Sequence, residues 1–89
     1  MHFDFTDQRI LVTGGSRGIG RACVQAFADA GAKVALNGRT AESTQAGIKA
    51  LDAGGHLFAA PGDVGTVSGC NSVVRGAIDQ LGGLDVLVN

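Results

Sequence analysis

Short apolar runs alternate with amphipathic stretches along the whole chain. Arg9-Ile10-Leu11-Val12-Thr13, stopped by Gly14-Gly15, predicts a first strand. From Gly18, the apolar residues Ile19, Ala22, Cys23, Ala26, Phe27 and Ala30 recur at helical spacing, and Gly31 supplies a left-handed C-cap. Lys33-Val34-Ala35-Leu36-Asn37 predicts strand two. Thr40 is placed to N-cap a second helix that buries Thr44, Ile48 and Leu51 and ends at Gly54-Gly55, with Gly47 as a weak point inside it. His56-Leu57-Phe58-Ala59-Ala60 predicts strand three, followed by Pro61-Gly62. Val67, Cys70, Val74, Ala77, Ile78 and Leu81 form a third helical stripe closed by Gly82-Gly83, and Leu84-Asp85-Val86-Leu87-Val88 predicts strand four.

The strands start at residues 9, 33, 56 and 84. Each gap holds one helix, too long for a hairpin and right for a crossover, so the strands should run parallel. Right-handed crossovers would put the first two helices on one face of the sheet. Cys23 and Cys70 fall on the apolar stripes and read as core packing, as do Phe27 and Phe58.

Composition narrows the classes. Seven Lys+Arg against eight Asp+Glu give a net charge of −1, with no basic run to grip nucleic acid or an anionic membrane. No apolar stretch approaches the ~18 residues of a membrane span. The start, Met1 to Asp7, has two acids and no apolar core, unlike a signal peptide. Cys23 and Cys70 lack paired spacing, which predicts reduced thiols in a cytoplasmic protein. Neither His2 nor His56 has a partner that suggests metal. The chain has fifteen Gly and neither Trp nor Tyr. A domain of this size buries only about 60% of its unfolded surface, which raises the question of completeness.

The chemistry lies between strand one and helix one, in Thr13-Gly14-Gly15-Ser16-Arg17-Gly18-Ile19-Gly20. A glycine-rich turn from strand to helix suits a phosphate. Gly14 permits the tight turn, Gly18 a close approach of backbone to pyrophosphate, and Gly20 close packing of the helix, whose free N–H groups then face the phosphate oxygens. The plain alternative is a glycine-rich turn without ligand. The crossover context favours the nucleotide.

About twenty residues further on, an NAD-binding unit carries an acid for the ribose 2′-hydroxyl, whereas an NADP-binding unit presents Arg. This chain has Arg39, and its nearest acid is Glu42. Arg17, Arg21 and Arg39 all lie near helix N-termini, where the helix dipole disfavours cations unless an anion sits nearby. Arg39 and Arg17 are thus either solvated loop cations or partners of a 2′-phosphate, and the second reading predicts NADP(H) over NAD(H). Arg21 reads as an exposed helix residue. Asp63 serves either as a turn or cap residue or as a contact to adenine.

The spacing Thr-Gly-x-x-x-Gly-x-Gly departs from Gly-x-Gly-x-x-Gly, and with it the chain resembles the short-chain dehydrogenases/reductases over its full length. Asn37-Gly38-Arg39, Gly62-Asp63-Val64 and the run from Leu84 to Asn89, which looks like strand four entering the family's Asn-Asn-Ala-Gly segment, carry the likeness. Within the family it is most similar to the 3-oxoacyl-carrier-protein reductase group. The resemblance implies that Ser16, Arg17 and Ile19 neighbour the cofactor, Asp63 and Val64 the adenine, and Asn89 the ribose. It implies the N-terminal half of a Rossmann-type doubly wound α/β sheet, ordered 3-2-1-4 with three crossover helices. The parent would act on a small carbonyl or alcohol, as a homo-oligomer.

In the family a Tyr phenol, a Lys four residues on and a Ser do the proton chemistry after that last segment. The chain has no Tyr. Residues 1–89 are therefore expected to be a cofactor-binding domain cut before its catalytic part, inactive alone, from an NADP(H)-dependent oxidoreductase. A non-catalytic NADP(H)-binding or sensing module and a non-binding remnant stay open. Strand four, apolar on both faces, is expected to leave an association-prone edge.

Overall fold

A computed structural model describes residues 4–16, 18–51 and 54–89. The elements follow in the order β1 (Arg9–Val12), α1 (Gly18–Asp29), β2 (Lys33–Leu36), α2 (Ala41–Lys49), a 3₁₀ turn (Gly54–His56), β3 (Leu57–Ala59), α3 (Val67–Leu81) and β4 (Val86–Val88). All strand pairs are parallel, in the order β3-β2-β1-β4. This is the doubly wound arrangement that the strand spacing and the resemblance predict.

Strand alternation divides the core into two layers. Ile10, Val12, Val34 and Leu36 face α1 through Val24 and Ala28, with Ile48 of α2 packed beside them. Leu11 and Ala35 face α3 through Val73, Ala77 and Leu81. The first two helices thus share one face, as right-handed crossovers require.

The phase of two helices differs from the sequence reading. Ile19 is 85% exposed, and Ala22 and Ala26 are exposed too; α1 instead buries Val24 and Ala28, with Phe27 half-buried. Its alanines make several faces weakly apolar, so periodicity alone does not select one. On α3 the buried line is Val73, Ala77 and Leu81, whereas Val67 and Ile78 are exposed. Neither cysteine is a fully buried core residue: Cys23 is half-buried and Cys70 exposed.

Helix α2 starts at Thr40, whose side chain accepts from the Ser43 N–H while Ser43 Oγ accepts from the Thr40 N–H. It stops at Lys49, short of Gly54. His56 lies in the 3₁₀ turn, with Nδ1 3.2 Å from the Ala32 carbonyl. β4 begins at Val86, directly after Asp85. Its carboxylate takes the Arg9 guanidinium at 3.0 and 3.1 Å and the Arg9 N–H at 2.9 Å, and its own N–H donates to the Arg9 carbonyl. The guanidinium holds the Asp85 carboxyl below the usual carboxylate range and is itself raised in turn. This pair fastens β4 to the start of β1. Among the described residues, no helix is long and apolar enough to cross a membrane.

Candidate functional site

The loops that follow β1, β2 and β3 meet at the C-terminal edge of the sheet, where open α/β sheets bind ligands. The turn after β1 is built for close backbone approaches. Gly18 has φ +63°, and a Cβ there would meet nothing within 4 Å, so bare backbone faces open space. Gly20 has the opposite surroundings. A Cβ on it would stand 2.2 Å from the Gly14 carbonyl oxygen, so only glycine lets α1 lie against the turn. Gly47 is a packing device as well, since a Cβ on it would stand only 2.8 Å from Ser16 Cα. What reads as a weak point of α2 seats that helix on the turn.

Asn37, just after β2, holds the loops together. It is 2% exposed, and its Oδ1 accepts from the Gly14 N–H at 3.1 Å. Its Nδ2 donates to the carbonyls of Ala60 (2.8 Å), Gly62 (3.1 Å) and Gly38 (3.2 Å). Its backbone accepts from Gly15 and donates to Val12. One side chain thereby joins the loops after all three strands. Thr44, fully buried, accepts from the Gly38 N–H and donates to the Thr40 carbonyl, fixing the start of α2 on the same loop.

Arg21 is not a free helix residue. It is half-buried, and its Nε and Nη2 clamp the Ser16 carbonyl at 3.0 and 2.6 Å. Beside it lies a cleft of about 320 Å³ lined by Ser16, Arg21, Thr40, Ser43 and Ala46. Arg39 is 82% exposed, its Nη2 3.7 Å from Asp63 Oδ2. So loose and exposed a pair is worth about 0–1 kcal/mol and leaves the guanidinium free to take another acceptor. The other Asp63 oxygen accepts from the Gly65 N–H at 2.9 Å. Asp63 thus makes a turn with one oxygen while the other faces Arg39, and the N-cap of α3 is Thr66.

At the junction of β1 and β4, Thr13 Oγ lies 3.3 Å from the Val88 carbonyl and 3.1 Å from Asn89 Oδ1. Ile19 and Val64 present exposed apolar side chains after β1 and β3. Gly14, Ser16, Gly18, Ile19, Gly20, Arg39, Asp63, Val64 and Asn89 thus all lie on the C-terminal edge of the sheet. Arg17 lies outside the described residues. Sequence reasoning meets Asn37 only as part of a motif and takes Arg21 for an exposed helix residue. The signal for the first is a polar residue closing an apolar strand, and for the second an Arg one turn beyond the serine of the glycine loop.

The donor set fits a dinucleotide phosphate. The first-turn N–H groups of a helix lack intrahelical partners, α1 has no acid in its first turn, and Gly18 leaves space over the backbone. Arg21 lines the cleft, and Arg39 carries an exposed guanidinium next to Thr40 in the chain.

The sequence profile of the short chain dehydrogenases matches residues 8–89. Glucose 1-dehydrogenase of Gluconobacter oxydans is 42% identical over 86 residues, covering 94% of this chain and 32% of that protein. The rhamnolipids biosynthesis 3-oxoacyl-[acyl-carrier-protein] reductase of Pseudomonas aeruginosa is 35% identical over 88 residues, covering 99% of the chain and 34% of that protein. The structure of the Pseudomonas aeruginosa RhlG/NADP active-site complex superposes with a TM-score of 0.89 at 36% identity, over 100% of this chain and 36% of that one. The chain spans about a third of the length of the relatives it matches.

Proposed function

The chain belongs to the short-chain dehydrogenase family, and we propose that residues 1–89 are the NADP(H)-binding part of an oxidoreductase that reduces a carbonyl, or oxidises an alcohol, by hydride transfer. A bound nicotinamide would give the hydride in reduction and take it in oxidation. This chain's residues bind and orient. Gly14, Gly18, Ile19 and Gly20 form the pyrophosphate cradle, Asp63 and Val64 flank the adenine, and Asn89 approaches the ribose.

The observation that carries the reading is Arg39 itself, 82% exposed just after β2 and held by a loose pair with Asp63, where an NAD-binding unit would carry an acid. No acid stands at the end of β2 to accept from a 2′-hydroxyl: Gly38 and Arg39 follow Asn37 directly. Arg39 offers a 2′-phosphate a guanidinium fork, and Ser16, Thr40 and Ser43 line a cleft whose Thr40 is next to it in the chain. The relative solved with NADP supports the same choice. The proton-transfer side chains are not in these 89 residues, since the chain contains no Tyr. The alternative is an NADP(H)-binding module without chemistry of its own.

Arg39→Asp tests the cofactor choice. The unmutated protein is expected to bind NADPH at least tenfold more tightly than NADH, and the variant to narrow or reverse that ratio. Equal affinities in the unmutated protein contradict the assignment. Ketone reduction by the full-length protein, lost on replacing a downstream Tyr, separates the enzyme from the module.

A further inference from the structure

We infer that Asn37 is the positioning residue of the phosphate turn, presetting the Gly14 N–H and tying the turn to the loops that flank the adenosine end. The inference rests on the reading of this turn as a nucleotide site.

A buried primary amide is costly unless its groups are satisfied. Asn37 spends its acceptor on Gly14 N–H and both amide hydrogens on Ala60, Gly62 and Gly38. Those partners belong to the turn after β1 and the loops after β2 and β3. No other side chain among the described residues bonds to all three. The backbone adds a second tie, from Gly15 N–H to the Asn37 carbonyl at 2.8 Å. Gly14, at φ +66°, therefore has its N–H direction set by a side chain rather than by a sheet ladder. The turn geometry is fixed before any ligand arrives, and preorganisation of this kind raises affinity by removing an ordering cost at binding.

The test measures amide hydrogen exchange and nucleotide affinity on the same chain. Asn37→Ser keeps a small neutral group but removes the reach to Gly14. The Gly14 amide should exchange at least tenfold faster while the Leu11 and Val12 amides keep their protection, and affinity for NADPH should fall at least tenfold. Asn37→Asp adds a readout that loss of packing would not move. Its carboxylate would face three carbonyl oxygens, whereas the protonated acid can donate to one of them and still accept from Gly14. Affinity of this variant should therefore recover as pH is lowered from 8 to 5, relative to the unmutated chain. Exchange at Gly14 unchanged within twofold in Asn37→Ser overturns the inference. So does loss of protection in β1 together with Gly14, or failure of Asn37→Ser to fold, since either makes Asn37 a packing residue. A flat pH response of Asn37→Asp, relative to the unmutated chain, also overturns it. If the unmutated chain binds no nucleotide, the site reading fails while the exchange arm still judges Asn37.

Discussion

Gly20→Ala and Gly76→Ala make the same chemical change in two helices and should have opposite effects. At position 20 the added methyl would stand 2.2 Å from the Gly14 carbonyl oxygen, 2.9 Å from the Gly14 carbonyl carbon and 3.1 Å from Gly15 Cα. All three are backbone atoms, so no side-chain rotation relieves the clash. Carbon contacts relax only at about 3.5 Å, so α1 must withdraw from the turn by roughly 1 Å. Overpacking of this kind costs about 1–3 kcal/mol. The better helix propensity of alanine returns up to about 1 kcal/mol, leaving a net loss of about 1–2 kcal/mol. At position 76 a Cβ would meet nothing within 4 Å, and alanine should stabilise by about 0.5–1 kcal/mol. Urea melts followed by circular dichroism would show the two midpoints moving apart with unchanged slopes. Gly20→Ala should also weaken NADPH binding, because Gly14 must move with the turn. A Gly20→Ala midpoint at or above that of the unmutated chain would refute the close approach on which the turn geometry rests.

The phase of α1 is open to a paired test: Val24→Ala should cost about 2 kcal/mol, whereas Ile19→Ala, at an exposed position, should stay within about 0.5 kcal/mol. The Arg9 pair lowers the folded-state pKa of Asp85, so its contribution to stability is present above the unfolded carboxylate pKa and lost as pH falls through the folded value. Thermal melts from pH 7 down to 3 should accordingly show a shallower acid loss in Asp85→Asn than in the unmutated chain. Strand β4 carries Leu87 at 48% exposure on the margin of the sheet, so Leu87→Lys should reduce self-association of the chain in sedimentation velocity.

The strands and the glycine turn were legible because each depends on a local pattern, whereas the strand order came with the family resemblance. A β-branched run, a glycine pair and a crossover-length gap constrain the chain with few alternatives. The helix faces were less legible. Alanine is small and apolar on any face, so the stripe through Ile19 and Ala22 competes with the real one through Val24 and Ala28, and only packing against Ile10 and Val34 decides. Gly47 reads as a helix defect until its neighbour Ser16, thirty-one residues earlier, is brought against it. Asn37 was hidden for the same reason. A polar residue at a strand end reads as the start of a turn, and its partners at Gly14 and Ala60 come together only through the parallel sheet. Arg39 and Asp63 each stand out in the sequence as candidates, but their proximity follows from β2 and β3 being neighbours.

The most direct measurement is a titration of the ¹⁵N-labelled chain with adenosine 2′,5′-bisphosphate, followed by amide chemical shifts. Saturable shifts are expected at Gly14, Ser16, Gly18 and Gly20, at residues 39–43 and at Asp63, with weaker binding of adenosine 5′-monophosphate because it lacks the 2′-phosphate. The absence of saturable shifts at the glycine turn, or shifts confined to the outer face of α3 around Val74 and Ile78, would contradict the account.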